Sequence, residues 1–236
     1  MKILAIDCTA VAASVAIVED GKVISSSYTN VGLTHSQTLV PMVSSVLGFA
    51  NMDLKDIDYF GINAGPGSFT GVRIGVAALK GLTEFREDNC FGVSTLESMA
   101  YNLLGLEDCI AVCAMDARCN QIYTASFDLT GGRVTRLSED EAILIPDLED
   151  RLKTYEKPVV FVGDGALLCY NYYLDKISNA SLAPAHVQYQ NATSVALLVE
   201  ANLKAGVKPV SSASLMPVYL RAPQAERELK KKQALT

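Results

Sequence analysis

The chain has 236 residues, half of them apolar and 19% charged, and a formal net charge of −6. Its length allows one large domain or two lobes with a substantial core, and its composition excludes a disordered or fibrous protein. The negative charge argues against unaided binding of nucleic acid, because such binders present positive charge to the phosphates. Apolar runs such as 11–18 are too short to span a bilayer.

The first part of the chain alternates strand and helix patterns. Apolar runs between turn residues predict strands, and apolar residues at helical spacing predict helices. The dipeptide Asp20-Gly21 predicts a hairpin turn between the second and third strands. The predicted order is β-β-β-α-β-α-β-α, with strands at 2–7, 14–18, 22–29, 58–64 and 91–93 and helices over about 34–50, 70–86 and 94–104.

Two of these helices carry a start signal. Thr34 with Gln37 and Ser94 with Glu97 match capping boxes, in which each side chain bonds to the backbone of the other residue. Pro41 lies inside the pattern of the first helix, so we expect a kink or a shortened first segment there.

The second part repeats the strand-led pattern of the first. Each part begins with a strand that ends in an aspartate, Asp7 and Asp116, which indicates weak internal duplication. Thr130-Gly131-Gly132 predicts a hairpin turn. The predicted strands are 109–115, 121–128, 133–137 and 158–162, and the predicted helices run from Pro146 to about 153, from 166 to about 175 and over 193–205.

Two glycine turns, 65–67 and 163–165, follow apolar strands and precede helices. Such a turn either binds a phosphate, since glycine permits close approach and a helix N-terminus favours anions, or simply reverses the chain. Asp7, Thr9 and Asp116 are candidates for contact with a metal or a phosphate, although an aspartate that ends a strand is more often a turn or cap residue. The P-loop pattern is absent from the segment after residue 65.

The helix predicted at 70–86 contains small residues at Gly71, Gly75 and Ala78. Interior glycines cost about 1 kcal/mol each relative to alanine, so close packing should offset that cost. The close neighbour is either the chain's own sheet or a partner subunit. Arg73 and Lys80 share a face, which is either a solvated rim or a contact for acidic groups of a partner.

The histidines, cysteines and basic tail define no site by pattern. His35 and His186 lie far apart, which excludes an HExxH metal motif. The six cysteines form no CxxC pair and the chain shows no secretory leader, so we expect reduced, mostly buried thiols in a cytoplasmic protein. Arg221, Arg227 and Lys230–Lys232 belong either to a solvated tail or to a contact with RNA or an acidic partner.

Six motifs occur in a characteristic order: ILAIDCT, HSQTLVP, GPGSFTGVRIG, GVSTLES, MDARCNQIY and PVYLR. Over residues 2–221 the chain resembles the bacterial TsaB (YeaZ) family. The resemblance implies an α/β fold of the actin/Hsp70/sugar-kinase (ASKHA) class, with two duplicated lobes. It implies an N-terminal lobe at 1–105, a C-terminal lobe at 106–221 whose helix at 193–205 packs back on the first lobe, and a charged tail at 222–236.

In that fold a nucleotide, where one is bound, lies in the cleft between the lobes. The resemblance matches Asp7 and Thr9 to the first phosphate motif, Asp116 to the second and the turn at 163–165 to the adenosine motif. Because these motifs are abbreviated, we expect no cofactor of the chain's own, and ATP or ADP only as a ligand of the complex. The expected vestigial cleft comprises Asp7, Thr9, Gly67, Ser68, Asp116, Gly163 and Gly165.

The resemblance also locates a missing metal site. The catalytic paralogue, TsaD, carries a His-x-x-x-His pair after the GPG helix, and Thr95 and Met99 fall at those positions. Neither side chain replaces an imidazole as a metal ligand, so we expect no enzymatic activity of the chain's own. Gln37 stands where the family usually has glutamate, which would alter a polar contact at an interface.

The resemblance therefore implies a non-catalytic scaffold or activator in the pathway that makes threonylcarbamoyladenosine beside the anticodon of tRNAs. The implied partners are TsaD and the small ATPase TsaE, with a homodimer in the absence of TsaD, tRNA only through the complex, and no membrane. A stand-alone ATP-dependent phosphotransferase and a metallopeptidase are the rival hypotheses. The expected partner surface comprises His35, Leu39, Val43, Gly71, Val72, Arg73, Gly75, Val76, Leu79 and Lys80.

Overall fold

The structure, a computed structural model, describes residues 1–84, 86 and 89–221. The sheet of the first lobe contains β1 (Lys2–Asp7), β2 (Ala13–Glu19), β3 (Lys22–Thr29), β4 (Tyr59–Gly65) and β5 (Cys90–Ser94). Their order is β3-β2-β1-β4-β5, with β1 antiparallel to β2 and parallel to β4. The central strands are almost wholly apolar because both faces of the sheet are covered.

The second lobe repeats this arrangement. Its sheet contains β6 (Cys109–Asp116), β7 (Gln121–Thr130), β8 (Arg133–Arg136), β9 (Glu141–Leu144), β10 (Val159–Val162) and β11 (Ala180–Leu182). The order is β11-β10-β6-β7-β8, with β9 paired to β7. Since β6 occupies the place of β1, with an antiparallel hairpin on one side and parallel strands on the other, the predicted duplication is confirmed.

Helices cover both sheets. Those of the described residues are α1 (His35–Ala50), α2 (Phe69–Thr83), α3 (Thr95–Ala100), α4 (Glu149–Lys153), α5 (Ala166–Tyr173) and α6 (Ala192–Lys204). The core under α1 and α2 lies on one face of the first sheet, and the core under α6 lies on the other. No helix in the part of the chain that the structure describes is both long and apolar enough to cross a membrane.

The two lobes share secondary structure at their junction. Leu96 and Met99 of α3 pack in the core of the second sheet, against Cys113 and Val162. In the opposite direction, α6 follows the second lobe in sequence but packs against β1 and β2 of the first. Each lobe therefore supplies a helix that packs against the other lobe. These two helices fix the edges of the cleft between the lobes.

The predicted element order is confirmed, and the exceptions are local. The capping box at Thr34 is wrong, because Thr34 is exposed and its side chain makes no capping hydrogen bond. Pro41 does not interrupt α1; it lies on the exposed side, where water can satisfy the carbonyl that loses its donor. The short strands β9 and β11 were not predicted, and a 3-10 turn, Ile145–Leu148, precedes α4 where a single helix was predicted.

The second capping box is half correct. The Ser94 side chain accepts a hydrogen bond from the Glu97 amide at 3.1 Å, as the motif predicts. The Glu97 carboxylate does not return to the Ser94 backbone. Instead it pairs with Arg136 of the second lobe, with an N–O distance of 2.8 Å, and therefore joins the two lobes.

Candidate functional site

A cleft of about 460 Å3 lies between the two lobes. The loop after β1, at 9–11, forms one wall, and the end of β6 with the turn before α5 forms another, including Asp116 and Asp164. The third wall comes from 218–221, at the end of the described chain. The carboxyl ends of β1 and β6 meet here, the edge at which open α/β sheets usually bind ligands.

Asp7 lies beneath the first-lobe wall. Its side chain is only 1% exposed, and its Oδ1 accepts hydrogen bonds from the backbone amide and the hydroxyl of Thr9, at 2.9 and 2.8 Å. Its Oδ2 has no partner. Burial raises the pKa of Asp7 above its ordinary value. The Thr9 hydrogen bonds and the neighbouring Asn63 amide lower this pKa, but their effect is smaller than that of burial.

The first glycine turn closes directly onto this loop. The Ser68 amide donates to the Thr9 carbonyl at 2.7 Å, and Gly67 and Ser68 line the cleft beside Thr9. The Ser68 side chain caps α2 by accepting a hydrogen bond from the Gly71 amide at 3.3 Å. The turn that would face a phosphate is thus bonded to the neighbouring loop of the same lobe.

The second glycine turn is bonded internally in the same way. The Gly163 amide donates to the Gln188 carbonyl at 2.7 Å, and the Gly165 amide donates to the Ala114 carbonyl at 3.0 Å. Asp164, between them, points its Oδ1 at the Gln190 side chain, at 2.7 Å. Asp116 is paired with Arg118 instead, which contacts both of its oxygens.

These contacts occupy part of the hydrogen-bond donors beside the cleft. The amides of Thr9, Ser68, Gly163 and Gly165 already bond within the chain, whereas the amides of Ala10 and Gly67, which line the cleft, donate no hydrogen bond to any residue that the structure describes. The charges of Asp116 and Asp7 act on the Asp164 carboxyl, and this group of carboxylates would repel an anion that carries no cation. Of the predicted cleft residues, Thr9, Gly67, Ser68 and Asp116 line the cleft, whereas Asp7, Gly163 and Gly165 are not among its lining residues.

The Asp164 carboxyl gives the cleft a pH signature. Burial raises its pKa to about 6 from an ordinary 3.8; Gln190 opposes this shift, while the charges of Asp116 and Asp7 add to it. The folded chain therefore binds this proton more tightly than the unfolded chain, and the stability that protonation confers is lost as the pH rises from about 4 through about 6.

We expect Asp164→Asn to be more stable than the parent chain at pH 7.5 by about 1–2 kcal/mol and nearly equal to it at pH 4. The asparagine oxygen keeps the acceptor for Gln190 but carries no charge. Urea unfolding at the two pH values measures the difference. A stability gap that does not change with pH would show that the carboxyl titrates normally.

The positions matched to the TsaD histidines lie in a sealed core. Thr95 and Met99 are both fully buried, and Met99 packs among apolar side chains of the second lobe. Among residues 1–84, 86 and 89–221, no group of three or more His, Cys, Asp or Glu side chains is placed to hold a metal ion. The space after α2 is therefore filled by the chain's own apolar packing.

Most of the predicted partner surface lies inside the first lobe. A Cβ at Gly71 would lie 2.1 Å from the Cys8 carbonyl oxygen, and one at Gly75 would lie 2.6 Å from the Cys8 Sγ. The small residues of α2 therefore serve close packing on the chain's own β1, and the expectation of direct partner contact is corrected for the buried positions. These positions, whose apolar side chains are at most 4% exposed, are Leu39, Val43, Gly71, Val72, Gly75, Val76 and Leu79.

The polar members of that predicted surface have partners within the chain. His35 contacts the Ala10 carbonyl through Nε2 at 2.8 Å. Arg73 donates through Nε to the Tyr219 hydroxyl at 2.8 Å, and Lys80 donates to the Ala213 carbonyl at 3.0 Å. Both α2 cations thus hold the C-terminal segment.

Sequence reasoning missed the part that this segment plays in the cleft. Val218 and Tyr219 line it, and so does Arg221, which was assigned to the tail. The PVYLR motif marked the segment without indicating its position. The basic residues Arg227 and Lys230–Lys232 lie outside the described residues. Five of the six cysteines are buried, as predicted for most of them, and Cys119 is exposed.

Two duplicated lobes around a central cleft define the ASKHA class of proteins. The activator of the 2-hydroxyisocaproyl-CoA dehydratase from Clostridium difficile shares this fold, with a TM-score of 0.52 and 12% identity over 87% of this chain and 97% of that one. YeaZ from Pseudomonas aeruginosa is more similar, with a TM-score of 0.74 and 25% identity over 93% of this chain and 99% of that one.

Sequence comparison narrows the class to one family. The profile described as "TsaD: tRNA N6-adenosine threonylcarbamoyltransferase" matches residues 29–229. The Escherichia coli protein named "tRNA threonylcarbamoyladenosine biosynthesis protein TsaB" is 33% identical over 231 residues, which cover 97% of this chain and 98% of that protein. The chain belongs to the TsaB (YeaZ) family.

Proposed function

We propose that the chain acts in tRNA threonylcarbamoyladenosine biosynthesis as a non-catalytic subunit that supports threonylcarbamoyl transfer by TsaD. The name of its Escherichia coli relative supports the pathway. The observation that carries the non-catalytic role is the cleft, where the amides of Ser68, Gly163 and Gly165 are bonded within the chain. The apolar packing of Met99 at a position matched to a TsaD histidine points the same way.

The outward faces of α1 and α2 are the proposed docking surface for TsaD. The exposed residues of α1 carry no formal charge, and they include Val40, Pro41 and Phe49, of which Phe49 is 87% exposed. On the adjacent α2, Ala77 is exposed as well. The uncharged, small-to-apolar face of α1 is typical of the buried centre of a protein interface, and α2 adds the exposed cation Arg73. Gln37 lies on the exposed side of α1, where the family's glutamate would be.

Val40→Asp should abolish or strongly reduce co-purification with TsaD. The side chain is 52% exposed, so the substitution leaves the core of the chain intact while it places a charge on the proposed interface. Val207→Asp is the matched control, because the Val207 side chain is 48% exposed. Val207 follows α6, the helix that covers the face of the first sheet opposite α1 and α2. Equal recovery of TsaD by both variants would contradict the proposed surface.

The cellular test separates the pathway from the interface. Deletion of the gene should remove threonylcarbamoyladenosine from hydrolysed tRNA, measured by nucleoside mass spectrometry, and the wild-type chain should restore it. We propose that TsaE and tRNA join through the complex, and that the chain pairs with itself when TsaD is absent. Intact modification in the deletion strain would refute the proposed function whatever the binding data show.

One observation favours the phosphotransferase as a second candidate. Asp116 and Asp164 line the cleft and the buried Asp7 lies beneath its wall, as carboxylates that position a magnesium nucleotide would. In that case ATP with magnesium should bind to the isolated chain in calorimetric titration, and Asp7→Asn should weaken the binding. Heat that stays at the level of buffer dilution would remove this candidate and leave the subunit role standing.

A further inference from the structure

A C-terminal strap, residues 215–221, crosses the mouth of the cleft from one lobe to the other. It begins at Leu215, which is 3% exposed within the core of the first lobe. The Val218 amide donates to the Ala64 carbonyl at 2.7 Å, and Arg221 Nη1 donates to the Ala117 carbonyl of the second lobe at 2.9 Å. The strap therefore bonds to both lobes within four residues.

The first-lobe contact requires glycine at the end of β4. Gly65 has φ +126°, and a Cβ there would lie 2.2 Å from the Val218 carbonyl oxygen. The backbone of the strap thus approaches β4 more closely than any side chain would allow. Contact this close indicates a defined seat for the strap rather than a loosely lying terminus.

An aromatic and cationic cluster fixes the middle of the strap. The Tyr219 ring packs on Phe69, the first residue of α2, with ring centroids 4.6 Å apart. The Arg73 guanidinium lies 3.8 Å from the Phe69 ring centroid, and its Nε donates to the Tyr219 hydroxyl. Arg73 and Tyr219 are both exposed, so the strap is held at the outer surface of α2.

At its other end the strap supports an unfavourable backbone. Ala117 precedes Arg118, Cys119 and Asn120, whose φ angles are 65°, 56° and 57°. Three successive non-glycine residues in the left-handed region persist only where surrounding contacts hold them. The bond from Arg221 to the Ala117 carbonyl is such a contact, at the base of the β6–β7 turn.

We propose that the strap is a latch that holds the two lobes together across the cleft, and that Arg73 secures it. In an open two-lobed fold, a ligand in the cleft would make contacts with both lobes. Here the amides of Ser68, Gly163 and Gly165 are bonded within the chain, and the strap makes contacts that join the cleft walls. The latch is a property of the isolated chain, so it stands or fails independently of the proposed function.

Hydrogen exchange on the full chain, measured by mass spectrometry, tests the latch. We expect Arg73→Ala to speed exchange at least about fivefold both at 216–221 and at the 117–121 turn, because release at the first lobe frees the second-lobe contact. Arg221→Ala should speed exchange at 117–121 likewise. Arg133→Ala, at an exposed arginine of β8, is the matched control and should change neither segment.

The two segments distinguish a latch from local structure. If Arg73→Ala speeds exchange at 216–221 alone, or in neither segment, the latch is overturned. Tyr219→Phe keeps the ring but loses the hydroxyl that Arg73 contacts, so it should give a smaller increase in both segments. That variant preserves the test should Arg73→Ala fail to fold.

Discussion

Gly71→Ala should lower the free energy of unfolding by about 3 kcal/mol or more. The added Cβ would lie 2.1 Å from the backbone carbonyl oxygen of Cys8, so either α2 or the end of β1 must move. The same Cys8 donates its thiol to the Gly71 carbonyl at 3.2 Å, and a shift of the helix would lengthen that contact. Because the loop after Cys8 is the first-lobe wall of the cleft, the damage should extend to the site.

Gly81→Ala provides a matched control within the same helix. Gly81 is exposed, and nothing lies within 4 Å of the position of its added Cβ. Alanine is the better helix former, so this variant should gain up to about 1 kcal/mol. Urea or guanidinium unfolding of both variants measures the contrast. Equal stabilities would show that α2 does not pack on β1 as closely as the structure places it.

The two glycines show why the helix itself was predictable and its neighbour was not. The period of the apolar residues indicates which side of α2 is buried, but it is silent on what covers that side. The sequence left open whether a sheet or a partner lies there, and Cys8, which decides the question, is remote in sequence from Gly71. The strands and helices followed from patterns of a few residues, whereas this contact depends on how β1 and α2 are placed by the whole lobe.

The candidate site shows the same division. The family resemblance places Asp7, Thr9, Ser68 and Asp116 at the cleft, whereas strand ends and glycine turns alone leave a phosphate site and a simple turn both open. The amides of Thr9 and Ser68 bond to carboxylate and carbonyl oxygens of the chain, and no sequence pattern indicates these bonds. The strap has no periodic pattern, and its contact from Arg73 to Tyr219 joins residues 146 positions apart. Such a contact is visible only in three dimensions.

Met99→His should destabilise the chain by about 3 kcal/mol, whereas Met99→Leu should cost less than about 1.5 kcal/mol. Met99 is fully buried in the core of the second lobe, and its Sδ lies 3.0 Å from the position of a Cβ on Gly163. Leucine conserves the volume and the apolar character of this side chain. An imidazole would bring ring nitrogens into a core whose neighbours, such as Leu96 and Val162, offer no hydrogen bond.

The double variant Thr95→His/Met99→His tests whether a histidine pair at these two positions can bind a metal ion. It recreates the His-x-x-x-His spacing, but α3 is only six residues long and its buried side faces the apolar core. A ligand that binds the folded state but not the unfolded state raises the stability of the chain by mass action. Zinc should therefore stabilise the variant only if both imidazoles reach one open position. We expect a strongly destabilised chain whose unfolding midpoint is the same with zinc and with chelator. A zinc-dependent recovery of stability would mean that the histidine positions still border an accessible site, and the apolar filling at Met99 would then no longer support a non-catalytic role.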